Sequence, residues 1–173
     1  MRCVIDTSTL ISLAKIHILD LIIRLDLNVI VPSEVYSEAV LNGEKKGYLD
    51  ADLIKHFITV HSIRVVEVKT SVTAAARRMT GKALAKGDEN VIAVALNEEV
   101  KIILTDDDGL GRIAYSLGYT VKASPDLLLD GLRRNVLSDA EFESYMRGLV
   151  IENRLHSIVA ELYMMEGKKD VKD

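Results

Sequence analysis

Short runs of β-branched and aliphatic residues alternate along this chain with segments of helical period. That alternation constrains the fold more than any other feature. Arg2–Ile5, Val29–Val31, Ile63–Val68, Lys101–Leu104 and Thr120–Ala123 read as strands. Helical spacing fills the gaps, at Ser8–Ala14, Ile18–Leu25, Asp50–Phe57, Val72–Met79, Asp88–Asn97 and Ile113–Leu117. Strands joined through helices cannot form hairpins, so the pattern predicts an α/β fold with a mainly parallel central sheet. Pro32 is expected to open a helix in its first turn. Asn42–Gly47 reads as an exposed turn, and Gly118 as a left-handed helix terminator. Ser124 is the N-cap candidate of the next helix. Beyond it, Asp139–Gly148 and Val150–Met165 read as two further helices, and Gly167–Asp173 as a frayed, charged tail.

The length of 173 residues suits one domain with a small helical appendage. The expected division is a domain over 1–135, a helical extension over 136–166 that packs on the domain or on a partner subunit, and a tail over 167–173. Hydrophobic residues at 49% and charged residues at 28% exclude a disordered chain. Acids outnumber bases 26 to 22, which excludes a protein that coats nucleic acid by bulk charge. The single cysteine, Cys3, excludes a disulfide framework and a Cys-rich zinc site, and implies a reducing, cytoplasmic setting. The most apolar stretch, Leu10–Val31, is interrupted by Lys15, Asp20, Arg24 and Asp26, so no membrane span is expected. His17, His56, His61 and His156 show no metal-ligand spacing, and surface or core roles are expected for all four.

Parallel sheets bind ligands beyond the carboxyl ends of their strands. Asp6 follows the first strand, and Thr105 with Asp106, Asp107 and Asp108 follows the fourth. Glu38 lies in the helix after Pro32, and Asp88 and Glu89 stand in the first turn of the helix after Gly87. Gathered carboxylates need a counter-charge. Magnesium and manganese supply it through oxygen ligands, and can activate water and steady a phosphoryl group. Each acid also has a plain structural role open to it. Asp6 and Asp107 suit helix N-caps or turns, Asp88 and Glu89 suit the positive end of a helix dipole, and Glu38 suits a solvated helix face.

Four segments taken together resemble the PIN-domain family of metal-dependent nucleases: Asp6–Thr7–Ser8–Thr9–Leu10–Ile11 after a strand, Pro32–Ser33–Glu34–Val35–Tyr36–Ser37–Glu38, Gly87–Asp88–Glu89–Asn90–Val91–Ile92, and Ile103–Leu104–Thr105–Asp106–Asp107 with Gly111–Arg112. The likeness spans residues 1–135. It implies a PIN-like three-layer α/β/α fold. It implies metal ligands at Asp6, Glu38 and Asp107, with a third acid at Asp88 or Glu89, Asp88 being preferred, and a site-ordering hydroxyl at Ser8. The catalytic set is then Asp6, Ser8, Glu38, Asp88 and Asp107, and the cofactor Mg²⁺ or Mn²⁺. The activity implied is hydrolysis of single-stranded RNA to a 5′-phosphate and a 3′-hydroxyl. Toxins of this family add an antitoxin partner and a homodimer to the expectation. Arg112, Lys86 and Lys82 are the leading backbone-contact candidates, with Lys45, Lys46, Arg77 and Arg78 behind them.

A haloacid-dehalogenase-like phosphatase would need an acid at position 8, where Ser8 stands. A response-regulator receiver gives no role to the segment after Gly87. A non-catalytic module binding RNA or a protein remains open beside the nuclease. If four carboxylates are gathered in one site, the remaining acids equal the 22 bases, and the outer surface need not repel a polyanion.

Overall fold

The structure, a computed structural model, describes residues 1–80, 84 and 86–170. Its centre is a five-stranded sheet in the order β3-β2-β1-β4-β5, every pairing parallel. The strands are β1 (Arg2–Ile5), β2 (Asn28–Pro32), β3 (Arg64–Val66), β4 (Ile102–Leu104) and β5 (Thr120–Lys122). Cys3, Val4 and Ile5 of β1 are completely buried, as expected for the central strand of a sheet covered on both faces.

Between the strands run α1 (Thr7–Lys15), α2 (Leu21–Arg24), α3 (Ser33–Tyr36), a π-helical turn (Ser37–Asn42), α4 (Gly43–Lys45), α5 (Leu49–Val60), α6 (Thr70–Thr80), α7 (Lys86–Asn97) and α8 (Asp108–Ser116). After the sheet come α9 (Ser124–Arg133), α10 (Asp139–Ile151) and α11 (Ser157–Asp170). The right-handed crossover rule and the packing contacts agree on the layers. Helices α1, α2, α5 and α9 gather on one face, and α7, with α6 against it, covers β1, β2 and β4 on the other. Val91, Ile92, Ala93, Val94 and Ala95 of α7 are all buried, and the small alanines let the helix lie close to the strands. This is the three-layer α/β/α arrangement with C-terminal helices.

The last two helices pack on the domain itself. Gly148 lies against Ile16, where an added Cβ would come within 3.0 Å of Cγ2. Lys15 pairs with Glu152 at 3.1 Å, and the Tyr163 hydroxyl donates to Asp126 at 2.5 Å. No helix among the described residues is long and apolar enough to cross a membrane.

Several local expectations need correction. Pro32 is the last residue of β2 and stands at the N-cap of α3, one step before the helix proper. Asn42–Gly47 is no free turn: the π-helical turn runs through Asn42, α4 continues to Lys45, and only Gly47 turns left-handed, at φ +71°. Ser124 is the first helical residue of α9, with Ala123 at the N-cap and its N–H donated to Asp126 at 2.7 Å. The break between the last two helices lies after Ile151, and α11 runs on into the stretch expected to fray. Gly118 does end α8 left-handed, at φ +85°.

Candidate active site

The strand order reverses direction at β1, with β2 and β3 to one side and β4 and β5 to the other. Open α/β sheets place their ligand sites at the carboxyl side of such a switch point. Ile5 of β1 pairs in register with Leu104 of β4, which brings Asp6 and Thr105 side by side as the chains leave the sheet.

Asp6 is buried and caps α1, its Oδ2 accepting from the Ser8 N–H at 3.3 Å and the Ser8 hydroxyl at 2.5 Å. The same oxygen accepts from the Thr105 hydroxyl at 2.9 Å. Ser8 Oγ in turn accepts from the Asp106 N–H at 2.9 Å, so this hydroxyl ties the end of β1 to the end of β4. Asp107 caps α8, with Oδ1 accepting from the Leu110 N–H at 2.7 Å, and its own N–H donates to Thr105 Oγ1 at 3.1 Å. Glu38 projects from the π-helical turn, and its Oε2 accepts from the Thr7 hydroxyl at 3.1 Å. An added Cβ on Gly87 would sit 3.5 Å from that same oxygen, so the start of α7 borders Glu38.

A common pattern runs through these three acids. One oxygen of each is engaged by a neighbouring hydroxyl or N–H, while Asp6 Oδ1, Glu38 Oε1 and Asp107 Oδ2 accept no hydrogen bond among the described residues. The donors on offer are oxygens, the chemistry that suits a hard divalent cation. Among the described residues, however, no three His, Cys, Asp or Glu side chains are already arranged to hold an ion.

Glu89 is otherwise engaged. It is buried, and the Arg77 guanidinium grips both its oxygens, Nε to Oε1 at 2.8 Å and Nη2 to Oε2 at 2.7 Å. Those hydrogen bonds hold its carboxyl below the ordinary glutamate range. Asp88 is half-buried in the first turn of α7, beside Gly87. Asp106 turns the other way: its two oxygens accept from the N–H and the hydroxyl of Ser124, at 2.6 and 2.7 Å, and so fasten the start of α9. Asp108 is exposed.

The family model described as a PIN domain matches residues 2–153. The chain belongs to the PIN-domain family. No curated protein matches the sequence. The matched residues run through the end of α10.

Within this PIN domain the basic candidates divide. Arg112 is exposed on α8 and makes no ion pair among the described residues. Arg77 is held by Glu89 and is less available to a phosphate than its sequence position suggested. Lys82 lies outside the described residues, as does the side chain of Lys86. Three residues were missed by the sequence reading. Thr7 and Thr105 orient Glu38 and Asp6, and the only signal for them was their place next to an acid at a strand end. Arg154 reaches back from the turn after α10 to the first turns of α1, donating from Nη2 to the Ser8 carbonyl at 3.0 Å and from Nε to Ser12 Oγ at 2.9 Å. Nothing in the sequence pairs positions so far apart.

Proposed function

We propose that this PIN domain is a metal-dependent ribonuclease that hydrolyses phosphodiester bonds of single-stranded RNA. The observation that carries the reading is the shared pattern of Asp6, Glu38 and Asp107 at the switch point of the sheet, each with one oxygen oriented and one uncommitted. These three, with Asp88, would hold a magnesium or manganese ion. Asp88 as the remaining acid rests on the family likeness, and both oxygens of Glu89 belong to Arg77. When bound, the ion supplies positive charge to a phosphate oxygen and lowers the pKa of an attacking water. The chain's own part is orientation. Ser8 and Thr105 hold one oxygen of Asp6, Thr7 engages one oxygen of Glu38, and the α8 cap engages one oxygen of Asp107. Glu38 and Asp107 are exposed, and exposed side chains exchange rotamers within picoseconds to nanoseconds, so a site open in the free protein can still close on a cation. A toxin role, an antitoxin partner and a homodimer belong to the same proposal and rest on the family likeness alone.

A second reading, a PIN-like module that binds RNA or a protein without cutting it, is favoured by one observation. Among the described residues the carboxylates do not already form a cage. Incubating labelled single-stranded RNAs with the protein and Mn²⁺ or Mg²⁺ separates the two. The nuclease reading expects cleavage that EDTA abolishes and that falls at least a hundredfold in Asp6→Asn. Intact RNA with both metals, across varied sequences, would overturn the nuclease reading, and a shift of that RNA by the uncleaving protein would support the binding module.

A further inference from the structure

Beside the acid site lies a cleft of about 520 Å³ that the sequence reading did not anticipate. One wall comes from Asp106, Asp108 and the start of α9, the other from Arg154, His156 and α11. Arg154 is half-buried, and its surroundings are unusual for an arginine. Its two hydrogen bonds go to neutral oxygens, the Ser8 carbonyl and the Ser12 hydroxyl, and no carboxylate pairs with it among the described residues. Nη1 makes no hydrogen bond among the described residues. A guanidinium held rigidly with one edge unengaged is suited to an anionic partner of planar or tetrahedral oxygens.

Its position is fixed from several sides. Asn153 adopts a left-handed φ of +55° and turns the chain between α10 and α11. The Arg154 N–H donates to the Leu149 carbonyl at 2.8 Å, and neighbouring Glu152 pairs with Lys15. The acid wall opposite holds Asp106 and the exposed Asp108. Both Asp106 oxygens are engaged by Ser124 at the start of α9, where the helix dipole also offsets the charge. Through the Ser8 carbonyl the guanidinium stands next to the residue whose hydroxyl orients Asp6, and Asp106 and Asp108 of the cleft wall flank Asp107 in the chain.

We infer that Arg154, with His156 on the rim, forms a backbone-phosphate subsite for the single strand, holding a phosphate neighbouring the one at the carboxylates. This rests on the nuclease reading for the identity of the strand, but its test does not require cutting. Binding of a fluorescently labelled single-stranded oligoribonucleotide is followed by anisotropy in EDTA over a range of salt. Arg154→Gln should weaken binding about tenfold and flatten the dependence of log Kd on log salt by about 0.7, the loss of one phosphate contact. Arg154→Lys keeps the charge and should keep the slope, whereas a purely structural brace would leave the slope unchanged in Arg154→Gln as well. If Arg154→Gln does not fold, His156→Glu on the exposed rim should weaken binding about fivefold. An unchanged slope in Arg154→Gln, or unchanged affinity in His156→Glu, overturns the subsite. Wild-type protein that binds but never cuts with Mn²⁺ sinks the nuclease reading and leaves the subsite standing. Protein that binds no RNA sinks both.

Discussion

At the scale of single residues, Asp6 and Asp107 show how a side chain that serves the fold can keep an oxygen to spare. Each caps a helix, the plainest role for an aspartate after a strand, and each keeps a second oxygen uncommitted. A carboxylate has two oxygens and about four acceptor positions, so capping does not exhaust it. Cys3 is the opposite case, a buried group whose thiol donates to the Asn28 carbonyl at 4.0 Å. Burial in β1 raises its thiol from 9.0 to about 12, only slightly offset by the amino terminus. Below pH 9 the thiol is neutral in folded and unfolded chains alike and stability does not depend on it. Between pH 9 and 12 the unfolded thiol ionises while the folded one does not, so stability falls with rising pH, by about 1.4 kcal/mol per unit. Urea unfolding at pH 7, 9 and 10.5 should show this loss in the wild type and a shallower one in Cys3→Ala. Equal slopes in the two proteins would refute it.

At the scale of elements, the segment after β2 decides where Glu38 goes. A π-helical turn spans Ser37–Asn42, a wider turn than the α-helix and one often found at functional sites. Asn42–Gly43 looks like a turn in sequence because that dipeptide favours left-handed conformations. In the fold Gly43 has an ordinary helical backbone, φ −64°, and is glycine for a different reason. An added Cβ there would lie 2.6 Å from the Ala51 Cβ of α5. Neither atom can rotate away. Gly43→Ala therefore sets a helix-propensity gain of about 1 kcal/mol against an overpacking penalty of about 1–3 kcal/mol. The clash should win, with a lower Tm and reduced RNA cleavage through a displaced Glu38. A Tm equal to or above that of the wild type would show that α4 and α5 can separate freely.

At the scale of the whole molecule, the C-terminal helices are part of one packed body with the sheet and its helices. They close the face built by α1, α2 and α9 and supply Arg154 to the first turns of α1. Gly167 marks where α11 docks: an added Cβ would fall 2.8 Å from Leu132 of α9 and 2.9 Å from Phe142 of α10. Gly167→Leu should push α11 outward and destabilise the protein by about 1–3 kcal/mol. Chemical denaturation measures this directly, and an unchanged midpoint would mean that α11 is not fastened there. An apolar stripe on the same helix, Ile158, Leu162 and Met165, stays exposed.

The amino-acid sequence by itself determined the alternation of strands and helices, the parallel sheet, and the acids at the strand ends. Those features are local: period and β-branching set each element, and an aspartate after an apolar strand is legible wherever it occurs. The four short segments in order were enough to point to the PIN family. Only the tertiary structure decided the rest, because it depends on contacts between residues far apart in the chain. The pairing of Ile5 with Leu104 put Thr105 on Asp6, and the approach of α6 to α7 gave Glu89 to Arg77. The packing of α10 on α1 brought Arg154 to Ser8 across 146 positions. A sequence pattern carries no information about which polar partner a folded backbone will supply. That choice follows from close packing, which leaves each buried donor or acceptor very few partners within reach.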